Sequence, residues 1–157
     1  MWPLRHGRIE MYIDKELLVW DAAALTVDAA STNAIDLSSV TPKIDIGAGE
    51  PMMFILQVDV SADFTSSNET YQFNVIDSDN ADLSSPRIML SRLIDYSLLT
   101  AGTLHDLPVP AVAVAKRYLG LYFDGGNTTP TITVTAWLSL RSMFDRQHTY
   151  AKGYVVS

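Results

Sequence analysis

The sequence predicts an all-β protein: an antiparallel two-sheet β-sandwich, with a jelly roll as the favoured topology and extended N-terminal and C-terminal arms. Apolar residues alternate with period two in about seven to eight segments, which is typical of strands. Short links rich in Gly, Pro, Asn and Ser separate these segments, and almost no helical period is visible. The 157 residues suffice for one domain with a full-sized core. The period alone does not separate a jelly roll from an immunoglobulin-like sandwich.

The N-terminal residues 1–34 show no clean period, and we interpret them as an arm. Residues 16–25 fit a short helix on propensity and fit an extended segment with a bend equally well. A short strand is predicted at residues 35–37, after a turn-prone Ser-Thr-Asn sequence. Residues 41–51 are predicted to form a loop because two prolines and two glycines interrupt them.

The middle of the chain contains the clearest alternation. Met52–Val60 is predicted as a long strand with Phe54, Leu56 and Val58 on its inner face. Further strands are predicted at residues 70–77, 88–93 and 103–109, with a turn or a single helical turn at residues 95–102.

Two long strands, at residues 117–124 and 131–140, are predicted to form a hairpin around a turn of Gly, Asn and Pro. Large side chains occupy both faces of this hairpin, which indicates a sheet covered on one side by a sandwich and on the other by an assembly. The domain prediction is an arm at 1–34, a sandwich at 35–141 and a tail at 142–157, within a single domain. The predicted core residues are Phe54, Leu56, Val58, Phe73, Val75, Leu119, Leu121, Val134 and Leu138.

The charge distribution is uneven. The net charge is −7 with a pI near 4.7, so nucleic acid is not an expected partner. Acidic residues dominate from Asp28 to Asp82, whereas both ends of the chain are basic. One interpretation is a solvated acidic surface; the other is that the basic ends dock on an acidic partner while the acidic loops face water. No apolar run is long enough to span a bilayer, so no membrane partner is expected.

The sequence contains no motif for catalysis, a cofactor or a metal, and we expect the protein not to be an enzyme. It lacks a nucleophile elbow and a glycine-rich phosphate loop, and it contains no cysteine. Residues 77–82 resemble the start of a calcium loop, but the sixth position is not Gly and Ile88 stands where the bidentate Glu belongs. We therefore interpret them as an acidic hairpin loop.

Tyr118, Tyr122 and Trp137 share one face of the predicted hairpin if its register is regular. Aromatic residues on a sandwich face suit a subunit interface, a sugar-binding surface or a second core layer. The sequence leaves these three alternatives open.

Several segments, taken in order, resemble a known family. They are residues 11–18 (Met-Tyr-Ile-Asp-Lys-Glu-Leu-Leu), 31–37, 45–51, 107–110, 117–123 and 148–154. Their order and spacing are similar to those of tailed-bacteriophage capsid cement, or decoration, proteins, and the resemblance runs from about residue 11 to the C-terminus. No single segment is diagnostic.

The resemblance implies a jelly-roll subunit that forms a homotrimer on the outside of an icosahedral head and clamps neighbouring subunits of the major capsid protein. It implies a location on the capsid exterior, with assembly in the host cytoplasm, and no catalytic residues. A carbohydrate-binding module or virion adhesin is the alternative. Residues 1–10 are extra to the family pattern, and Trp20 stands where a small polar residue is expected. The candidate partner contacts are Trp2, Arg5, Arg8, Tyr12, Trp20, Tyr118, Tyr122 and Trp137.

Overall fold

The computed structural model describes residues 15–37, 51–110, 114–126 and 128–142. These residues form nine strands and two short 3-10 helices, Lys15–Leu17 and Tyr96–Leu98. The strands are β1 (Leu18–Leu25), β2 (Ala29–Ala30), β3 (Ile35–Asp36), β4 (Met52–Val60), β5 (Gln72–Ser78), β6 (Arg87–Leu93), β7 (Leu104–Pro108), β8 (Tyr118–Asp124) and β9 (Ile132–Leu140).

The strands form two antiparallel sheets. The first sheet has the order β1-β9-β4-β7, and the second has the order β2-β8-β5-β6, with β3 also paired to β8. The short strands β2 and β3 share one position beside β8, so each sheet has four strand positions. β5 and β6 form a hairpin within the second sheet, and every other connection between strand positions crosses from one sheet to the other. This is the arrangement of a jelly roll, and the predicted fold class is confirmed.

The core lies between the two sheets and contains every residue that the sequence placed there. Phe54, Leu56 and Val58 from β4 face Phe73 and Val75 from β5 as members of one buried cluster. The inner residues of β8 and β9 belong to the same cluster; they are Leu119, Leu121, Val134 and Leu138. The ring centroids of Phe73 and Phe123 lie 5.4 Å apart, which joins β5 and β8 within the second sheet.

The predicted hairpin of β8 and β9 is wrong, although both strands exist. β8 pairs with β5, whereas β9 pairs with β1 and β4, so the connection after Asp124 crosses from one sheet to the other. Each strand has an apolar inner row, and placing the two rows on opposite sides of the core buries both. The crossing is held by side chains, since Asp28 accepts a hydrogen bond from the Gly125 amide at 2.7 Å and Thr70 donates to the Gly125 carbonyl at 2.9 Å.

Residues 18–25 settle the alternative that the sequence left open, because they form edge strand β1 with a bend. Its pairing with β9 shifts register twice, and Ala22 adopts a φ of 44°. The Ala22 amide donates to the Thr135 hydroxyl at 3.0 Å rather than to a strand carbonyl. β1 and β2 therefore belong to the sandwich, and the predicted arm at 1–34 ends too late in the chain.

Bonds between the sheets close both lateral edges of the sandwich. The Val19 carbonyl on β1 accepts from the Asn33 amide at 3.1 Å and from the Thr32 hydroxyl at 3.0 Å. On the other side, Arg92 of β6 donates to the Asp106 carbonyl of β7. Each edge therefore has at least one strand carbonyl that is already satisfied, which makes that part of the edge a poorer template for further strand pairing.

Candidate partner-binding surfaces

One end of the sandwich gathers four connections that are far apart in sequence. The register places Leu25 opposite Ile132, and places both Leu93 and Asp124 opposite Gln72. The connections at residues 26–28, 61–71, 94–103 and 125–131 therefore meet at the same end. We call the described residues of these four connections, with the strand ends that flank them, the acidic end.

Hydrogen bonds link the connections of the acidic end into one layer. The Tyr71 hydroxyl donates to the Asp63 side chain at 2.7 Å, and Asp63 also accepts from the Thr131 amide at 2.9 Å. The Ala62 amide donates to the Leu99 carbonyl at 2.9 Å. Together with the Asp28 and Thr70 contacts to Gly125, these bonds connect all four segments and give this end a defined shape.

Most of the large apolar side chains that remain exposed lie on this end. Leu93 is 67% exposed, Val27 is 68% exposed and Leu98 is 60% exposed. Phe64 and Tyr96 stack in parallel with their ring centroids 4.1 Å apart, and each stays more than one third exposed. Val60 completes the set, and among the described residues only Ile88 is a large exposed apolar side chain elsewhere. An end that collects exposed apolar side chains is a candidate interaction surface.

The same end carries six carboxylates, of which Glu69 is buried; they are Asp28, Asp59, Asp63, Glu69, Asp95 and Asp124. The hydrogen bond from Tyr71 lowers the pKa of Asp63, and hydrogen bonds from Ser97 lower the pKa of Asp95. Burial acts to raise the pKa of Glu69, but the Ser66 and Asn68 amides outweigh it and the net pKa is lowered. Asp63, Glu69 and Asp95 are therefore ionised at neutral pH.

Of the six described Lys and Arg side chains, five lie away from the acidic end. The six are Lys15, Arg87, Arg92, Lys116, Arg117 and Arg141, and all except Arg92 lie toward the opposite end, where β1 and β8 begin and β9 ends. Arg92 turns along the side of the sandwich to Asp106. His105 contacts the Leu98 carbonyl at 3.0 Å, but burial lowers its pKa, so its ring is neutral at pH 7.

At the opposite end, charges are paired within the subunit. Asp77 is fully buried and accepts two hydrogen bonds from Arg87, at 2.9 and 2.6 Å. It also accepts from the Ala115 and Lys116 amides. Burial acts to raise the pKa of Asp77, but these donors outweigh it and the net pKa is lowered. Arg117 pairs with Asp36 at 2.8 Å in the same region.

The structure separates the aromatic residues that the sequence placed on one face. Tyr118 and Tyr122 lie on β8 in the second sheet and are half-buried, whereas Trp137 lies on β9 in the first sheet. Trp137 is only 5% exposed and packs with Met53 and Ile55 in a small cluster on the outer face of its sheet. The three side chains therefore do not form a common aromatic surface, because the hairpin on which that expectation rested does not form.

Trp20 is a core residue and not an exposed contact. It is 1% exposed, and its ring meets Phe73 edge-on with the centroids 6.4 Å apart. The register opposes Trp20 to Ala136, whose small side chain leaves room for the indole ring. The other candidate contacts, Trp2, Arg5, Arg8 and Tyr12, lie outside the described residues.

The sequence analysis missed Val27, Val60, Phe64, Tyr96 and Leu98 as surface residues. The available signal was a large apolar side chain inside a polar loop or turn, at Phe64 and Tyr96 above all. Period-two analysis assigns residues within strands and carries no information about loop residues that meet only in the folded chain.

Other kinds of site have less support in the described residues. These residues contain no group of three or more His, Asp or Glu side chains placed to hold a metal. Their helices are too short or too polar to cross a membrane. A cavity of about 300 Å³ lies near the opposite end, lined by Pro51, Met52, Asp106, Pro108 and Arg141, among others. In the 77–82 loop, Asp77 accepts a hydrogen bond from Arg87, and Asp82 accepts one from the Ser84 amide, as expected for a hairpin loop.

Comparison with known proteins identifies the family of this sandwich. No curated protein matches the chain. The family model named Bbp16 matches residues 19–136, which is well over half of the sequence and runs from β1 into β9. The matched range includes all four connections of the acidic end. The chain therefore belongs to the Bbp16 family, a phage-related family.

Proposed function

We propose that this protein is a virion structural protein, a cement protein that binds the outer surface of an icosahedral phage head as a homotrimer. It contacts the major capsid protein and stabilises the junctions between neighbouring capsid subunits. It assembles in the host cytoplasm and remains on the capsid exterior. The observation that carries the proposal is a jelly roll of a phage-related family that collects its exposed apolar side chains at one end.

The physics of such a protein suits this structure. The chain has no cysteine, so burial and complementarity must supply its binding free energy. A single contact between a subunit and the capsid can be weak, because three linked contacts raise occupancy through effective concentration. Protected lateral edges leave side-chain surfaces rather than strand pairing for association. A trimer interface on the order of 1,000 Å² or more per pair is expected.

The direct test uses phage heads that lack this protein. Purified full-length protein is added, and head-bound copies are counted by gel densitometry and located by cryo-electron microscopy. We expect saturable decoration of the head exterior and a higher temperature of head rupture. Heads that bind no protein at saturating concentration would contradict the cement proposal.

Two further measurements address the oligomeric state and the alternative function, which is carbohydrate binding. Analytical ultracentrifugation at micromolar concentration should give the mass of a homotrimer, and a mass of one chain would contradict that stoichiometry. A glycan array should show no binding. A monomer that binds a glycan would support carbohydrate recognition instead.

A further inference from the structure

The acidic end combines exposed apolar side chains with negative charge, so a complementary partner carries apolar groups and positive charge. Its exposed side chains include Phe64, Tyr96 and Leu98, and the same end carries several carboxylates. Arg92 is the one described Lys or Arg beside this end, and its side chain turns to Asp106. A segment that supplies both large apolar side chains and positive charge matches such a surface, because apolar burial gives affinity and opposite charge gives orientation and speed of association.

The first ten residues of the chain have this composition: Met-Trp-Pro-Leu-Arg-His-Gly-Arg-Ile-Glu. Trp2 and Leu4 supply apolar groups, and Arg5 and Arg8 supply positive charge. Trp and Arg are also the residue types enriched where binding free energy concentrates. We propose that the acidic end of one subunit binds residues 1–10 of a second copy of this chain. The inference rests on the proposed function and deepens it. On a head surface, this contact would link neighbouring copies of the protein to one another.

The position of β1 favours a second copy over the same subunit. Leu18 begins β1 toward the opposite end of the sandwich, and β1 then runs about 27 Å to reach the acidic end. Residues 1–14 span at most about 50 Å when extended. They would have to reverse direction and follow the whole sandwich to reach the acidic end of their own subunit. A neighbour placed head to tail removes that requirement.

Charge also favours residues 1–10 as the occupant. Asp28, Asp63 and Asp95 lie at the acidic end, and Arg5 and Arg8 of a second copy carry the opposite charge. This attraction weakens as salt is added. The C-terminal residues 143–157 also contain Arg146 and Lys152, but they have no Trp and include Asp145. They serve as the competing occupant in the test.

The binding test uses a dye-labelled peptide of residues 1–10 and the full-length protein, with fluorescence anisotropy as the readout. We expect saturable binding that weakens at high salt. Leu98→Lys should weaken it at least about tenfold, since it replaces an exposed apolar side chain of the acidic end. Ile88→Lys is the matched control, because Ile88 is 54% exposed but lies away from the acidic end; its binding should equal that of the wild type.

A cross-linking test separates a second copy from the same subunit. The chain has no cysteine, so Leu4→Cys and Leu98→Cys variants each carry a single thiol. Mixed under oxidising conditions with tags of different mass, they should form a disulfide heterodimer. Leu4→Cys mixed with Ile88→Cys should not. A Leu4→Cys/Leu98→Cys double variant that closes only within one chain would overturn binding by a second copy.

Other outcomes also decide the inference. It is overturned by absence of peptide binding, by equal loss in the Leu98→Lys and Ile88→Lys proteins, or by tighter binding of a peptide of residues 143–157. Circular dichroism of both Lys variants confirms that they are folded. Head decoration is measured separately, so decorated heads without peptide binding would reject this inference while leaving the cement function standing.

Discussion

The two ends of the sandwich handle charge in different ways. At the opposite end, Arg87 pairs with Asp77 and Arg117 pairs with Asp36, so cations and carboxylates meet within the subunit. At the acidic end, Asp63 and Asp95 accept hydrogen bonds from amides and hydroxyls, and Arg92, the described cation beside this end, turns to Asp106. Neutral donors hold these loops in shape but do not compensate their negative charge. The difference supports our proposal that the acidic end is completed by something outside the subunit, whereas the described ion pairs of the opposite end lie within it.

The largest expected effect on the free energy of unfolding comes from the core between the two ends, compared with a side chain of the acidic end. Leu121→Ala in β8 should lower the free energy of unfolding by about 2–5 kcal/mol, because it removes buried methyl groups and leaves a cavity. Leu98→Ala at the acidic end should change it by less than about 0.5 kcal/mol. Urea denaturation followed by circular dichroism measures both. A large fall in the free energy of unfolding of the Leu98 variant would show that this side chain stabilises the subunit and is not reserved for a partner contact.

A smaller effect on stability is expected from replacing Asp77, the buried carboxylate of the opposite end. Asp77→Asn should cost about 2–3 kcal/mol of stability, because it removes the charge from hydrogen bonds with Arg87 and two amides. Asp79→Asn is the control, since Asp79 is 75% exposed and its ion pair with Lys116 is 3.4 Å long; it should leave the denaturation midpoint unchanged. Equal stability of the two variants would contradict the special role assigned to Asp77.

The acid dependence of unfolding should involve both ends. The pKa values of Asp63, Glu69 and Asp77 are lowered in the fold, so their stabilisation is present above their ordinary values near 4 and is lost as pH falls through the lowered values. Both ends therefore contribute to acid unfolding.

The alkaline side involves a tyrosine of the acidic end. Burial, with the Asp63 hydrogen bond, raises the pKa of Tyr71 from 10.0 to about 12. Its contribution is therefore full below pH 10 and is lost as pH rises toward 12. Tyr71→Phe should flatten the fall in stability between these pH values, and denaturation midpoints at a series of pH values would measure this. An unchanged alkaline profile would count against the Tyr71–Asp63 contact.

The sequence by itself determined the long strands of the core, β4, β5, β8 and β9. Met52–Val60 was predicted with the bounds that the structure has, and the predicted core residues of β4, β5, β8 and β9 are buried. Alternation with period two is a local property, since each residue's side of a strand follows from its neighbours. The turn residues marked most strand ends for the same reason. The all-β fold class followed from these local signals together.

Only the tertiary structure decided which strands pair and which loops meet. A strand, a turn and a second strand look the same in sequence whether they form a hairpin or cross between sheets, and β8 and β9 cross. Trp20 is buried because Ala136, more than one hundred residues later, leaves space for it. Phe64 stacks on Tyr96, and Asp28 accepts a hydrogen bond from Gly125, although each pair is far apart in the chain. The acidic end is built from such distant contacts, which the packing of two sheets creates and no local pattern contains.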